Sequence, residues 1–189
     1  MSGQTKPLRA DARRNRARVL EAAEEILARE GLSASMRTIA KHAGVGLGTI
    51  YRHFPTQEAL YQAIIIERMH RLIAEADALR AADDPGAAFF VFFTGIVDNA
   101  KQKKILADAL ADADIDQKVG LSDIRRQMRG AVETLLTRAQ GAGAVRQDLH
   151  LPEVLALLNA TCMAAERHQW PAGLQSAVLT LLFDGFRPR

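Results

Sequence analysis

Between Gly44 and Phe54 the chain places a hydroxyl (Thr49), a phenol (Tyr51), a guanidinium (Arg52) and an imidazole (His53) close to three glycines. This set suits contact with phosphates and base edges rather than bond breaking. Tyr51 and His53 can donate hydrogen bonds to phosphate oxygens, which fix register without reading sequence. Arg52 can pair bidentately with guanine, and Leu47 or Thr49 can meet a thymine methyl. Glycine has no Cβ, so Gly44 permits a tight turn, and Gly46 and Gly48 permit close approach of backbone to a phosphate or base. Ile50 and Phe54 are four residues apart and form the apolar pair that would lock this short helix onto its neighbours.

The elements that must position these groups are also legible. Met36, Ile39, Ala40 and Ala43 form an apolar stripe on a second short helix, with Ser35 as its N-cap and Arg37 at its start. Two short amphipathic helices joined across a glycine turn make a helix-turn-helix, whose second helix enters a DNA major groove. A preceding helix is predicted from Asp11 to Glu30, with Val19, Leu20, Ala23, Ile26 and Leu27 on one face and Gly31 as its stop. After Pro55, Thr56 caps a long helix reaching about Arg80.

Charge supports the same reading. Residues 1–54 hold ten basic and five acidic side chains, whereas the remainder holds 15 basic and 17 acidic ones. The excess of positive charge in the first quarter is the footprint expected where phosphates are neutralised. The 48% hydrophobic content indicates a folded chain. The longest apolar run, Ala87 to Val97, is broken by Thr94 and Gly95 and is well short of the roughly 20 residues of a membrane span. With no signal peptide pattern and a single cysteine, the expectation is a cytoplasmic protein with no membrane partner.

Helical patterns continue to the C-terminus. Asp84 and Pro85 read as N-cap and first residue of a helix carrying Phe89, Phe90, Phe92, Phe93, Ile96 and Val97. A short helix is expected near 105–113. Another starts after Ser122, with Ile124, Met128, Val132, Leu135, Leu136 and Ala139 inward. Pro152 begins the next, to about His168, and a last helix ends near Phe186. The predicted class is all-α with about nine helices. It divides into a helix-turn-helix domain (1–55), a connecting helix (56–80) and a C-terminal domain (81–189).

Ala43 to Phe54, followed by Glu58-Ala59-Leu60, resembles the signature of the tetracycline-repressor (TetR) family, with Gly31, Arg37, Ile39 and Ala40 in matching places. The resemblance covers about residues 13–62 and implies a dimeric, ligand-responsive transcriptional repressor. By matching position, Arg37, Leu47, Gly48, Thr49 and Arg52 would read bases, while Thr49, Tyr51 and His53 would hold the backbone. Two positions depart from the family pattern. Gly46 replaces a frequent serine cap, a change that costs only a few tenths of a kcal/mol. Gln57 stands where a phosphate-binding lysine is common, and a basic arm with Arg9, Arg13 and Arg14 is expected to compensate from the minor groove.

The second domain is expected to bind an effector and to dimerise. The candidate effector cavity is lined by Phe89, Phe93, Ile96, Met128, Val132, Cys162, Met163 and Trp170. Buried polar groups among Asn99, Asn159, Thr161 and His168 would need partners, an effector being one. The candidate dimer interface is a four-helix arrangement built on Val154, Leu158, Thr161 and Ala165 with Leu174, Val178, Leu182 and Phe186.

Other chemistries fit poorly. Gly44-x-Gly46-x-Gly48 lacks the dinucleotide-binding spacing and follows a helix rather than a strand. Asp112, Asp114 and Asp116 suggest a calcium loop, but Gln117 and Asp123 occupy positions that need glycine and glutamate. The five histidines show no metal-ligand spacing, and no nucleophile–base set stands out, so no enzyme activity, cofactor or metal is expected. The expected function is a homodimeric repressor bound to palindromic operator DNA and released by a small-molecule effector. The rival readings are a non-specific DNA-binding protein and a helical small-molecule-binding domain with a vestigial helix-turn-helix.

Overall fold

The computed structural model describes residues 5–112 and 121–188. Among them are eight α-helices and no strand: α1 (Thr5–Glu30), α2 (Met36–Ala43), α3 (Leu47–His53), α4 (Gln57–Leu79), α5 (Pro85–Asp112), α6 (Leu121–Gly141), α7 (Leu151–His168) and α8 (Ala172–Phe186). Three helix limits differ from the sequence reading. α1 begins at Thr5 rather than Asp11. α5 runs unbroken to Asp112 where a separate short helix is expected, because no glycine or proline lies between Gly95 and Asp112 to end it. α6 starts at Leu121, so Ser122 lies inside its first turn instead of capping it. Asp114, Asp116 and Gln117 of the calcium candidate lie outside the described residues.

The chain forms two compact units, Met1–Ile65 with Ile105–Ile115, and Ile66–Lys104 with Asp116–Arg189. In the first, α1 packs against α2 and α3; Val19, Ala23 and Ile26 of α1 are buried, and Ile39 of α2 and Ile50 of α3 have no exposed surface. Leu60 and Ile64 at the start of α4 are equally buried. The periodicity of these apolar residues is what commits each segment to a helix in this unit.

The second unit is organised by aromatic packing. Phe89, Phe90 and Phe93 of α5 meet Phe183 and Phe186 of α8, with ring centroids 4.6 Å apart for Phe90–Phe183 and 5.4 Å for Phe93–Phe183. Edge-to-face and tilted pairs at such distances are favourable geometries for aromatic rings. Val132, Leu135 and Ala139 of α6 and Val154, Leu158 and Ala165 of α7 complete this core. Asp84 caps α5 through its carboxylate, which accepts from Ala87 N at 2.9 Å. Arg138 donates to the Leu79 and Ala82 carbonyls at 3.2 Å each and so closes the C-terminus of α4. No helix among the described residues is long and apolar enough to cross a membrane.

Candidate DNA-recognition surface

The turn between α2 and α3 is built from main-chain bonds that only a left-handed residue completes. Gly44 has φ 63° and ψ 37°, Gly44 N donates to Lys41 O at 3.2 Å, and Val45 N donates to Ala40 O at 3.0 Å. This double closure is a Schellman motif, which favours glycine because a Cβ is costly at positive φ. Arg18 of α1 adds a third bond by donating from Nη2 to Ala43 O at 2.7 Å. At the other end of α2, the Ser35 hydroxyl accepts from Thr38 N at 3.0 Å, so the expected N-cap forms.

Gly46 is the N-cap residue of α3; it offers no side-chain cap but accepts from Thr49 N at 2.9 Å through its carbonyl. Ile50 is fully buried and Phe54 is 2% exposed, so this pair fixes the rotation of α3. At 100° per residue, Gly48 and Arg52 then lie opposite Ile50, with Thr49 and Tyr51 on the flanks. Burial agrees with that geometry. Arg52, Gly48 and Gly46 are exposed, Leu47, Thr49 and His53 are half-buried, and Tyr51 is 47% exposed, a bystander to the core rather than part of it. Nothing lies within 4 Å of where a Cβ at Gly48 would sit.

α2 contributes the exposed Arg37, and Lys41 stands one turn further on, also exposed. Lys41 was not among the sequence candidates; its i, i+4 relation to Arg37 is the signal that identifies it. Other basic residues have structural partners instead. Arg18 is committed to the α2–α3 turn, the Arg16 guanidinium lies 5.5 Å from the Phe54 ring centroid, and Arg14 pairs with Asp11. Arg9, Arg13 and Arg14 of the expected basic arm all fall within α1, Arg13 and Arg14 inside the helix limits read from the sequence and Arg9 in its earlier start; the side chains of Arg9 and Arg13 lie outside the described ones.

Gln57 has an internal role. Its Nε2 donates to Ala34 O at 3.0 Å and to the Tyr61 hydroxyl, tying the first turn of α4 to the residue before the α2 cap. Burial raises the Tyr61 hydroxyl above its ordinary pKa, although the Gln57 bond opposes this. Thr56 caps α4 by accepting from Ala59 N at 3.1 Å. The backbone and the Thr56 hydroxyl hold the neighbouring Glu58 carboxyl below its usual range.

The second unit places its candidate residues differently from the sequence reading. Phe89, Phe93 and Val132 are at most 2% exposed and are packed into the aromatic core rather than lining open space. Ile96, Met128, Cys162 and Trp170 are partly buried against that core, while Met163 is 69% exposed and points away from it. Asn99 donates to Gly95 O and Thr161 to Leu157 O, so neither waits for an effector, and Asn159 and His168 are exposed. Of the candidate dimer residues, Val154, Leu158, Thr161, Ala165 and Phe186 are buried in their own chain. The stripe chosen for the interface is therefore largely the one that holds the monomer together. Val178 and Leu182 are half-buried, Leu174 is exposed, and the other large outward apolar residues of α7 and α8 are Leu157, Met163 and Leu181.

Comparison with known proteins agrees with this geometry. Residues 19–64 match the family of bacterial regulatory proteins called tetR, and residues 84–188 match the SbtR-like transcriptional regulator C-terminal domain. A TetR transcription regulatory protein from Mycobacterium vanbaalenii is 40% identical, with a TM-score of 0.78 over 96% of this chain and 100% of that one. The regulator UidR of Escherichia coli K12 is 43% identical over 68 residues, and this match spans only about a third (35%) of either chain. The repressor KstR of Mycobacterium tuberculosis is 26% identical over 76% of this chain and 67% of its own length. All are regulators, and none of these descriptions is that of an enzyme. The chain belongs to the TetR family of DNA-binding transcriptional regulators.

Proposed function

We propose that the chain is a cytoplasmic homodimeric repressor that binds a palindromic operator and is released from it by a small-molecule effector. The observation that carries the DNA-binding part is the exposed face of α3, where Arg52 and Gly48 lie opposite the buried anchor Ile50. Arg52 and Arg37 would read base edges, and Tyr51, His53 and Lys41 would hold phosphates. Two copies of α3 would occupy successive major grooves about 34–36 Å apart.

The outward Leu157, Met163, Leu174 and Leu181 support self-association, since apolar side chains of this size on neighbouring helices gain from being removed from water. KstR, which shares most of the chain at low identity, is named a repressor, and this supports the sign of regulation. An effector that favours a dimer with wrongly spaced α3 helices would release the operator.

The test is fluorescence anisotropy with DNA flanking the chain's own gene, beside a scrambled duplex. The expected result is a preference of about a thousandfold or more for the native sequence, with affinity falling as salt rises. Equal affinity for both duplexes would instead establish a non-specific DNA-binding protein.

A further inference from the structure

Ala34 and Ser35 join the helical turn Gly31–Ser33 to α2, and both have extended backbone, with ψ 123° and 151°. This strap sets where α2 starts and hence where Arg37, the exposed second residue of that helix, stands. The Ser35 hydroxyl fixes the α2 side of the strap by accepting from Thr38 N at 3.0 Å. The other side is fixed from α4. Gln57 Nε2 donates to Ala34 O at 3.0 Å and to the Tyr61 hydroxyl. A carboxamide nitrogen has two protons, and these two bonds use both. Ala34 sets the orientation of the amide, because a flipped one would bring its oxygen against a carbonyl oxygen. Gln57 and Tyr61 are an i, i+4 pair on one face of α4, whose neighbouring Leu60 and Ile64 have no exposed surface. Ala34 and Tyr61 are 2% and 4% exposed, so the amide bridges two buried residues whose polar atoms are costly to leave without a partner.

We propose that Gln57 is a positioning residue for DNA recognition, a role that rests on the reading of Arg37 as a base contact. By clamping the Ala34 carbonyl to the first turn of α4, it sets the seat of Arg37 on the operator. Gln57 itself does not touch DNA. Its donors are spent inside the protein, and its remaining polar atom, Oε1, is an acceptor that a phosphate oxygen repels. Releasing the clamp leaves Met36, Ile39 and Ala40 buried, so α2 keeps its packing. The strap regains freedom, however, and the entropy of fixing Arg37 must then be supplied on binding. A bidentate base contact loses most from that freedom, whereas a point charge beside a phosphate tolerates it. Loss of the clamp therefore acts on specificity.

A double-mutant cycle on the full chain tests this, read by anisotropy titration with the gene-flanking operator and a scrambled duplex. Gln57→Met removes both donors at similar volume. It is expected to weaken operator binding about fivefold, to change scrambled-DNA binding by less than about twofold, and to leave the salt slope as in wild type. In an Arg37→Ala background the same change is expected to cost less than about twofold, because the residue it positions is gone. Tyr61→Phe removes one anchor of the amide and keeps the ring, and is expected to lower the operator preference by a smaller factor. A merely structural defect would lower the active fraction, and with it binding to both duplexes alike. Unchanged operator affinity in both Gln57→Met and Tyr61→Phe, an equal loss with and without Arg37, or a lower salt slope in Gln57→Met would overturn the role while leaving the DNA reading intact. No operator preference in wild type, or no loss on Arg37→Ala, would instead sink the DNA reading itself, and the positioning role with it.

Discussion

The guanidinium of Arg18 occupies the space that a side chain at Gly44 would need: a Cβ at position 44 would lie 2.7 Å from Arg18 Nη2. The turn between α2 and α3 thus depends on a left-handed residue without a side chain and on a cation from α1 in the vacated space. Gly44→Ala is expected to destabilise the protein by about 1–2 kcal/mol, from the cost of positive φ for a residue with a Cβ. Arg18→Met, which keeps the aliphatic stem, should cost about 1 kcal/mol for the bond to Ala43 O. Urea unfolding measures both. Because Arg18 serves the turn, the salt dependence of DNA binding should be unchanged in Arg18→Met, whereas a phosphate-binding residue would lower the slope when removed.

Gly48 separates stability from recognition. A methyl there meets nothing within 4 Å, and alanine is the better helix former by about 1 kcal/mol. Gly48→Ala is therefore expected to raise the melting temperature slightly. If α3 lies close against the base edges, the same change should lower operator affinity about tenfold, because the added methyl stands beside Arg52 on the outer face. Thermal unfolding and anisotropy titration on one preparation check both halves.

Arg52 and Arg37 should be distinguishable from the phosphate contacts. Arg52→Ala is expected to cost about 1–3 kcal/mol against the operator and far less against scrambled DNA, relaxing specificity. Lys41→Ala should weaken binding to both duplexes alike and reduce the salt slope by about one. An equal loss on both sequences for Arg52→Ala would move it from the base-reading group to the backbone-holding one.

On α7 and α8 the outward leucines give a clean test of self-association. Leu181 is 74% exposed, so Leu181→Asp has little to disturb within one chain. If this face joins two copies, the variant should sediment as a monomer and lose most operator affinity while its far-ultraviolet circular dichroism stays unchanged. Leu158→Asp, by contrast, buries a charge in the chain's own core and is expected to unfold it.

Arg146 and Asp148 supply a pH-dependent element. Arg146 donates from Nε and Nη2 to the two Asp148 oxygens at 2.6 Å each, and these bonds hold the Asp148 carboxyl down from 3.8 to about 2. A carboxyl with a lower pKa in the folded than in the unfolded chain stabilises the fold above the unfolded value, and this contribution disappears as pH falls through the folded one. The difference in melting temperature between the native protein and Asp148→Asn should therefore be constant above about pH 5 and shrink between 3.8 and about 2.

The sequence alone determined the helix-turn-helix, its glycine turn, its caps at Ser35 and Thr56, and the Ile50–Phe54 anchor. These depend on spacings of three or four residues, and helix geometry converts such spacings directly into faces. It also determined that helices follow to the end of the chain. Tertiary structure decided which residues of an apolar stripe face their own core and which face outward. Val154, Leu158 and Ala165 are buried while Leu157 and Met163 on the same helix are not, and both sets are apolar in sequence. Likewise, only three-dimensional contact separates Arg18, bound to Ala43 O, from Arg37 and Arg52, which remain exposed, and shows Gln57 turned toward Ala34 and Tyr61. The physical reason is that hydropathy and charge record what a side chain prefers, whereas its partner is set by residues distant in the chain that the fold brings within hydrogen-bond reach.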